Sequence, residues 1–198
     1  MPTLNRPLKR FKTLDLAYIG LSAAIIAVCA WVTIPVGTIP VTLQTMAICL
    51  VSGLFGTKRG VIATLVYIAL GAIGIPVFSG FKGGIGVLGG ATGGYIIGFV
   101  FTAVIVGLTS DKTDKLWALI VSMVIGIAVC YAFGTVWFML VFTRETAAIT
   151  LSKTLAMCVT PFIIPDAVKI IAASILTSRL KKHIKGRNHY ENETQKES

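Results

Sequence analysis

The sequence predicts an all-α integral membrane protein with six transmembrane helices, both termini in the cytoplasm, and structured extracellular loops 1 and 3. Of its 198 residues, 55% are hydrophobic and only 13% are charged, whereas a soluble domain carries about 25% charged residues. The basic residues lie at the termini and between the apolar segments, which is typical of membrane proteins. This distribution excludes nucleic-acid binding as the reason for the net charge of +10, because such binding needs a folded basic surface.

The six predicted helices are apolar segments at residues 14–32, 41–56, 60–75, 94–109, 116–142 and 155–178. Several are near the lower limit of about 17 residues for a spanning helix, so tilt or local thinning of the bilayer is expected. The first segment follows basic residues, as a secretory signal does. Its apolar stretch is longer than that of a signal peptide, and no cleavage site of small residues ends it, so it is predicted to be a retained helix.

Lysine and arginine residues set the predicted orientation. With the N-terminus inside, fourteen of the 18 basic residues lie in cytoplasmic segments, in agreement with the positive-inside rule. Lys82, Arg144 and Lys153 lie outside, and Lys169 lies within the membrane. The chain is therefore predicted to be a multi-pass protein of the cell membrane, surrounded by the lipid bilayer.

Two external connections have unusual compositions. The first, "TIPVGTIPVT" at residues 33–42, contains two prolines and a glycine and cannot be helical throughout. The second, "PVFSGFKGGIGVLGGATGGY" at residues 76–95, contains eight glycines together with several large apolar side chains. A flexible linker is the alternative, but linkers are polar. Both connections are predicted to be structured, and the glycine-rich one to face a ligand.

The chain is predicted to divide into a membrane domain at residues 1–180 and a basic, disordered cytoplasmic tail at residues 181–198. The four cysteines lie singly in apolar segments and both histidines lie in the tail, so no metal site or disulfide framework is indicated. No Walker A motif and no general acid–base set is present, which excludes an enzyme. Any ATP hydrolysis is therefore expected on separate subunits.

The most informative motif is "PFIIPDAVKII" at residues 161–171, which places Asp166 and Lys169 inside an apolar segment. A spacing of three puts both side chains on one face of a helix. Each charge costs roughly 2.5–3.5 kcal/mol at the centre of a membrane helix on insertion scales. The pair is therefore either a structural ion pair or a half-buried site for a polar solute, and the breaks made by Pro161 and Pro165 favour a cavity there.

Other candidate residues each have an alternative structural role. Gln44, near the outer end of the second helix, either binds a ligand or bonds to another helix. Tyr95 either stacks on a ligand or belongs to the interfacial aromatic belt. Lys82 is either a cation for an anionic solute or a solvated lysine. On the first helix, small residues four positions apart allow close approach of a partner inside or outside the chain; they are Gly20, Ala23, Ala24 and Ala27.

Three stretches carry a resemblance to a known family: "IPVTLQTMAICLVSGLFGTKRG", "ALGAIGIPVFSGFKGGIGVLGGATGGYIIGF" and "PFIIPDAVK". Across nearly the whole membrane portion, the sequence resembles the BioY family, the biotin-binding substrate components of energy-coupling factor (ECF) transporters. The resemblance implies a six-helix fold that captures biotin outside and delivers it inward. It also implies a transmembrane coupling protein and two ABC-type ATPase subunits as partners, with biotin as the transported ligand and no cofactor.

The resemblance also implies roles for individual residues. Asp166 would accept hydrogen bonds from the ureido N–H groups, Lys169 would donate to the ureido carbonyl or to the valerate carboxylate, and Lys82 is the other candidate for the carboxylate. The remaining predicted pocket residues are Gln44, Tyr95, Phe78, Val87, Gly83, Gly84 and Gly93. The four small residues of the first helix are predicted to dock on the coupling protein. A substrate component for another vitamin and a stand-alone channel or facilitator remain as alternative functions.

Overall fold

The computed structural model describes residues 13–35, 39–145 and 150–194. Within them the chain forms α-helices and one short β-ribbon, in the order α1 (Thr13–Trp31), β1 (Thr33–Ile34), β2 (Val41–Thr42), α2 (Gln44–Ala72), α3 (Ile85–Gly89), α4 (Gly93–Lys112), α5 (Leu116–Glu145), α6 (Leu151–Cys158) and α7 (Thr160–Thr194). Five of these helices are long and apolar enough to cross a membrane: α1, α2, α4, α5 and α7. The predicted class, a helical multi-pass membrane protein, is confirmed.

Helix α2 contains the predicted second and third segments and reverses direction between them. Gly56 has φ +76° and ψ −176°, a conformation that residues with side chains rarely adopt. A Cβ placed on Gly60 would lie 2.8 Å from the Cα of Ser52, whereas eight residues of straight helix rise about 12 Å. The element therefore consists of two packed arms, residues 44–55 and 57–72, joined at Gly56.

The bend at Gly56 is held by the end of α4. One carboxylate oxygen of Asp111 accepts hydrogen bonds from the backbone N–H of Thr57 at 3.1 Å and from its hydroxyl at 2.7 Å. The first N–H groups of a helix lack intrahelical partners, so Asp111 caps the second arm of α2. The ion pair of Arg59 with Asp15, at 2.5 Å, lies at the same end of the bundle.

Helix α4 packs against both α2 and α5. Glycines allow this close approach. A Cβ on Gly98 would lie 2.9 Å from the Sγ of Cys130, and one on Gly107 would lie 2.5 Å from the Cα of Thr57. The largest buried cluster lies at the other end of the bundle from Asp111, and its large members include Ile26, Ile48, Tyr67, Phe78, Phe99 and Phe138.

The end of α1 and the described parts of the connections at residues 33–42 and 76–95 contact one another. Strands β1 and β2 pair antiparallel, with Thr33 opposite Thr42. The Trp31 indole N–H donates to the carbonyl of Pro76 at 2.9 Å, and its ring stacks on Phe81 with 5.1 Å between centroids. Together these segments cover the end of the bundle at which α1 ends and α2 begins.

The structure divides the predicted sixth segment, 155–178, into two helices. Helix α6 ends at Cys158, and Val159 leaves helical geometry before α7 begins at Thr160. Pro161 therefore lies in the first turn of α7, where a missing N–H costs little, while Pro165 lies inside the helix. Helix α7 continues to Thr194, so the structure is helical at residues 181–194, where the sequence predicts a disordered tail.

Candidate ligand-binding site

A cavity of about 150 Å³ lies beneath β1, β2 and the glycine-rich connection. Its polar lining comes from three regions of the chain: the start of α2, the connections before α2 and before α4, and α4 to α7. The lining residues are Ile39, Pro40, Thr42, Gln44, Thr45, Phe78, Ser79, Lys82, Val87, Thr92, Tyr95, Ile96, Phe99, Cys130, Tyr131, Cys158, Phe162, Asp166 and Lys169. Apolar walls with a few convergent polar groups are typical of a small-molecule site.

Asp166 and Lys169 form an ion pair in the wall of this cavity. The Lys169 ammonium lies 2.7 Å from Oδ1 of Asp166, and the two residues are only 4% and 7% exposed. Removing two charges from water is unfavourable unless both are paired and further hydrogen-bonded. The pair therefore needs additional partners, and two side chains from other helices supply them.

Thr45 and Tyr131 complete the hydrogen bonding of Asp166. The Thr45 hydroxyl donates to Oδ1 at 3.1 Å, and the Tyr131 hydroxyl donates to Oδ2 in a short hydrogen bond. The Lys169 ammonium also reaches the Thr45 oxygen, at 3.4 Å. The Asp166 carboxylate thereby links α7 to α2 and α5, and its orientation is fixed before any ligand arrives.

Gln44 is held in a similar way at the start of α2. Its side-chain amide donates to the Tyr67 hydroxyl at 2.5 Å, and its carbonyl oxygen accepts a hydrogen bond from the Thr42 hydroxyl at 3.0 Å. An amide nitrogen carries two N–H donors, so one remains for a ligand. The Gln44 side chain therefore has a fixed orientation at the cavity wall.

Lys82 lies at the mouth of the cavity and is exposed. Its backbone carbonyl accepts a hydrogen bond from Phe78 at 3.0 Å, which closes a tight turn. Within the part of the chain that the structure describes, its ammonium group has no carboxylate or other hydrogen-bonding partner. It differs in this respect from Lys169, whose charge is already balanced by Asp166.

The predicted apolar and aromatic contacts also line the cavity. Phe78 is 1% exposed, and its ring packs edge-on to Tyr67, with 5.6 Å between centroids. Val87 lies on α3 and faces the same space. Tyr95, at the start of α4, places its hydroxyl 3.4 Å from that of Thr135. All three residues line the cavity together with the ion pair.

The three predicted glycines are not among the lining residues. A Cβ on Gly83 would lie 2.6 Å from the carbonyl oxygen of Ile75, and one on Gly93 would overlap the backbone of Leu88. Gly84 has φ +100°, in the region that favours glycine. These glycines shape the loop, which in turn positions Phe78, Lys82 and Val87, and their contact with a ligand stays a prediction.

The four predicted docking residues lie on two different faces of α1. Ala23 and Ala27 are buried in the largest cluster of the described residues, so their small side chains serve packing inside the chain, and a docking role for them stays a prediction. Gly20 and Ala24 are exposed, and no atom lies within 4 Å of a Cβ placed on Gly20. Of the four, only this second pair is exposed to a partner helix.

Neither Tyr131 nor Thr45 was assigned a role from the sequence. Tyr131 could have been found as a polar side chain inside an apolar helix, where such residues often have functional roles. Its partner could not, because the two residues are separated by 35 positions. Within the described residues, no group of three His, Cys, Asp or Glu side chains could hold a metal ion.

Comparison with known proteins finds one matching family and relatives that cover most of the chain. Residues 4–186 match the sequence profile of the BioY family. The chain is 37% identical over 163 residues to the "Biotin transporter BioY" of Thermotoga maritima, covering 82% of this chain and 93% of that protein. It is 36% identical over 181 residues to the "Biotin transporter BioY2" of Lactococcus lactis, covering 90% and 96%.

A solved structure is also similar. The crystal structure of "the S-component for biotin from an ECF-type ABC transporter" superimposes with a TM-score of 0.77 at 27% sequence identity, covering 87% of this chain and 95% of that one. The matched part includes most of the helices that enclose the cavity.

Proposed function

The chain belongs to the BioY family, and we propose that it is the biotin-binding membrane subunit of an ECF-type transporter, which captures biotin outside the cell and delivers it inward. The observation that carries this proposal is the buried Asp166–Lys169 pair in the wall of a mostly apolar cavity. The chain is a multi-pass membrane transport component and not an enzyme. ATP hydrolysis belongs to separate subunits.

The ion pair suits the ureido ring of biotin, which has a carbonyl oxygen flanked by N–H groups. Lys169 supplies a donor for the carbonyl, and Asp166 supplies an acceptor beside it. A site built to hydrogen-bond such groups rejects ligands that lack them, because its buried polar atoms would be left unpaired. The N–H of Gln44 and the hydroxyl of Tyr95 add polar contacts at the edge of the same cavity.

Lys82 is the better placed of the two lysines for the valerate carboxylate. The charge of Lys169 is already balanced by Asp166 at 2.7 Å, whereas Lys82 is exposed at the mouth. A ligand with its ring against Asp166 and its chain towards the mouth would bring its carboxylate to Lys82. The valerate chain of the ligand would then run past Phe78 and Val87, whose apolar side chains would cover its methylene groups.

The proposed topology has six membrane spans with both termini in the cytoplasm. The reversal of α2 at Gly56 supports it, because the chain returns along its second arm to the end of the bundle at which α2 begins. Lys58 and Arg59 follow the bend directly, which suits a cytoplasmic position. The external connections would then cover the cavity on the side from which biotin arrives.

The proposed partners are a transmembrane coupling protein and two ABC-type ATPase subunits. The chain has no Walker A motif, so the energy for delivery must come from other subunits. The exposed face of α1 at Gly20 and Ala24 would receive a helix of the coupling protein, because small residues permit close helix contact in a bilayer.

Equilibrium binding of biotin to the purified chain in detergent tests the proposal, with riboflavin and thiamine as competitors. Saturable binding that only biotin displaces supports it. A folded, monodisperse sample that binds another vitamin instead would support a substrate component of different specificity. Uptake by the chain alone in vesicles, without ATPase subunits and without saturation, would support a channel.

A further inference from the structure

The hydrogen-bonding positions of the Asp166–Lys169 pair are almost all occupied by the protein itself. A carboxylate offers about four lone-pair positions and an ammonium group three N–H donors. Oδ1 of Asp166 takes Lys169 and Thr45, and Oδ2 takes Tyr131. Lys169 directs one N–H to Oδ1 and another to the Thr45 oxygen. One lone pair on Oδ2 and one N–H of Lys169 are left for a ligand.

We propose that Tyr131 determines specificity by occupying one of the two acceptor positions on Oδ2 of Asp166, so that the carboxylate can accept a ligand N–H from one direction only. The inference rests on the proposed function and refines it. Of the two ureido N–H groups of biotin, Asp166 binds one, while Lys169 donates to the neighbouring carbonyl oxygen. The second ureido nitrogen makes no hydrogen bond to Asp166.

The position of Tyr131 favours this role over that of a simple tie between α5 and α7. Tyr131 lines the cavity together with Asp166, so its hydroxyl occupies space that a ligand donor could otherwise use. A tie between helices would affect every ligand equally, because it would change only the stability of the folded chain. A hydroxyl that occupies one lone pair changes the affinity for some ligands more than for others, depending on which of their two ureido nitrogens carries a hydrogen.

The two isomers of N-methylbiotin, with one methyl group on either ureido nitrogen, separate these roles. Dissociation constants for biotin and both isomers are measured by calorimetry on the wild-type chain and on Tyr131→Phe, which removes only the hydroxyl. Tyr18→Phe is the matched control, because Tyr18 lies on α1 beside Phe55 and Arg59 and not in the cavity wall.

In the wild-type chain, one isomer is expected to bind at least about tenfold more weakly than the other, the usual effect of losing a hydrogen bond to a charged group. In Tyr131→Phe the ratio between the isomers should fall towards one, because Oδ2 can then accept from either direction. Tyr18→Phe should keep the wild-type ratio.

Equal binding of both isomers by the wild-type chain would overturn the inference, and this comparison needs no variant to fold. An unchanged ratio in a folded Tyr131→Phe chain would also overturn it and would reduce Tyr131 to a structural tie. In both cases the proposed function stands as long as biotin itself binds. Failure of the folded wild-type chain to bind biotin would overturn the proposed function and this inference with it.

Discussion

The side-chain amide of Gln44 donates a hydrogen bond to the hydroxyl of Tyr67 at 2.5 Å, although the two residues belong to one helical element and are 23 positions apart. In a straight helix they would be separated by about 35 Å. The contact exists because the chain reverses at Gly56, which brings the start of α2 back beside its second arm. The reversal at one end of the bundle therefore fixes the orientation of the Gln44 side chain in the cavity at the opposite end.

Substitution of Gly56 by alanine is expected to lower the stability of the fold. The backbone there has a φ of +76°, and an added Cβ would overlap the carboxylate of Asp111. Strain of this kind costs on the order of 1–3 kcal/mol. Thermal unfolding in detergent measures the change, with Gly20→Ala as the control, because that position is helical and open. Equal melting temperatures for the two variants would contradict the prediction.

Removal of the cap at the bend should affect stability and leave ligand binding unchanged. Asp111→Ala deletes the acceptor of the Thr57 N–H and hydroxyl, and loss of a helix cap costs about 1 kcal/mol. The site lies at the far end of the bundle from the cavity. A lower melting temperature with an unaltered biotin dissociation constant is expected, whereas a large loss of affinity would show that the two ends of α2 are coupled.

Substitutions of the ion pair separate its structural role from its binding role. Asp166→Asn or Lys169→Met alone leaves one buried charge without its partner, which typically costs 3–5 kcal/mol. The double variant removes both charges, so its thermal stability should recover towards that of the wild type. Its biotin affinity should not recover, because the ligand then meets no charged acceptor or donor. Wild-type affinity in the double variant would show that the pair is purely structural.

Lys82 should contribute only to the binding of ligands with a carboxylate. Lys82→Ala is expected to weaken biotin binding about two- to fivefold, the range of an exposed ion pair, and to leave binding of biotin amide unchanged. The effect should shrink at high salt, because exposed charges are screened. Lys153→Ala, at another exposed lysine, serves as the control. Equal weakening of acid and amide would assign the carboxylate to another residue.

Substitution by leucine should have different effects at the neighbouring residues Ala23 and Ala24 of α1. Ala24→Leu adds bulk to the exposed face, so biotin binding should remain while uptake with the partner subunits is lost. Ala23→Leu adds bulk to a residue that is 3% exposed, and overpacking of this kind costs about 1–3 kcal/mol in stability. Val121→Leu, on the exposed face of α5, is the control for uptake. Normal uptake by Ala24→Leu would exclude this face as the docking surface.

The sequence by itself determined the membrane class, the approximate helix positions, the family and the placement of Asp166 and Lys169 on one face of a helix. These follow from local composition and spacing: apolar runs need lipid, and two charges three positions apart share one helix face. The pairing of Asp166 with Lys169 is an interaction within one helix, so it needs no knowledge of the fold. Likewise, Lys82 could be recognised as a cation in an external connection from its position alone.

The tertiary structure alone decided which residues from distant parts of the chain meet. Tyr131 reaches Asp166 because α5 and α7 pack together, and Ala23 differs from Ala24 because only one of these neighbours faces α2. The glycines at positions 83 and 93 proved to serve close backbone packing, which composition cannot separate from ligand contact. Local patterns specify helices and their faces, whereas burial and hydrogen-bond partners depend on how those helices pack, and that arrangement is a property of the whole chain.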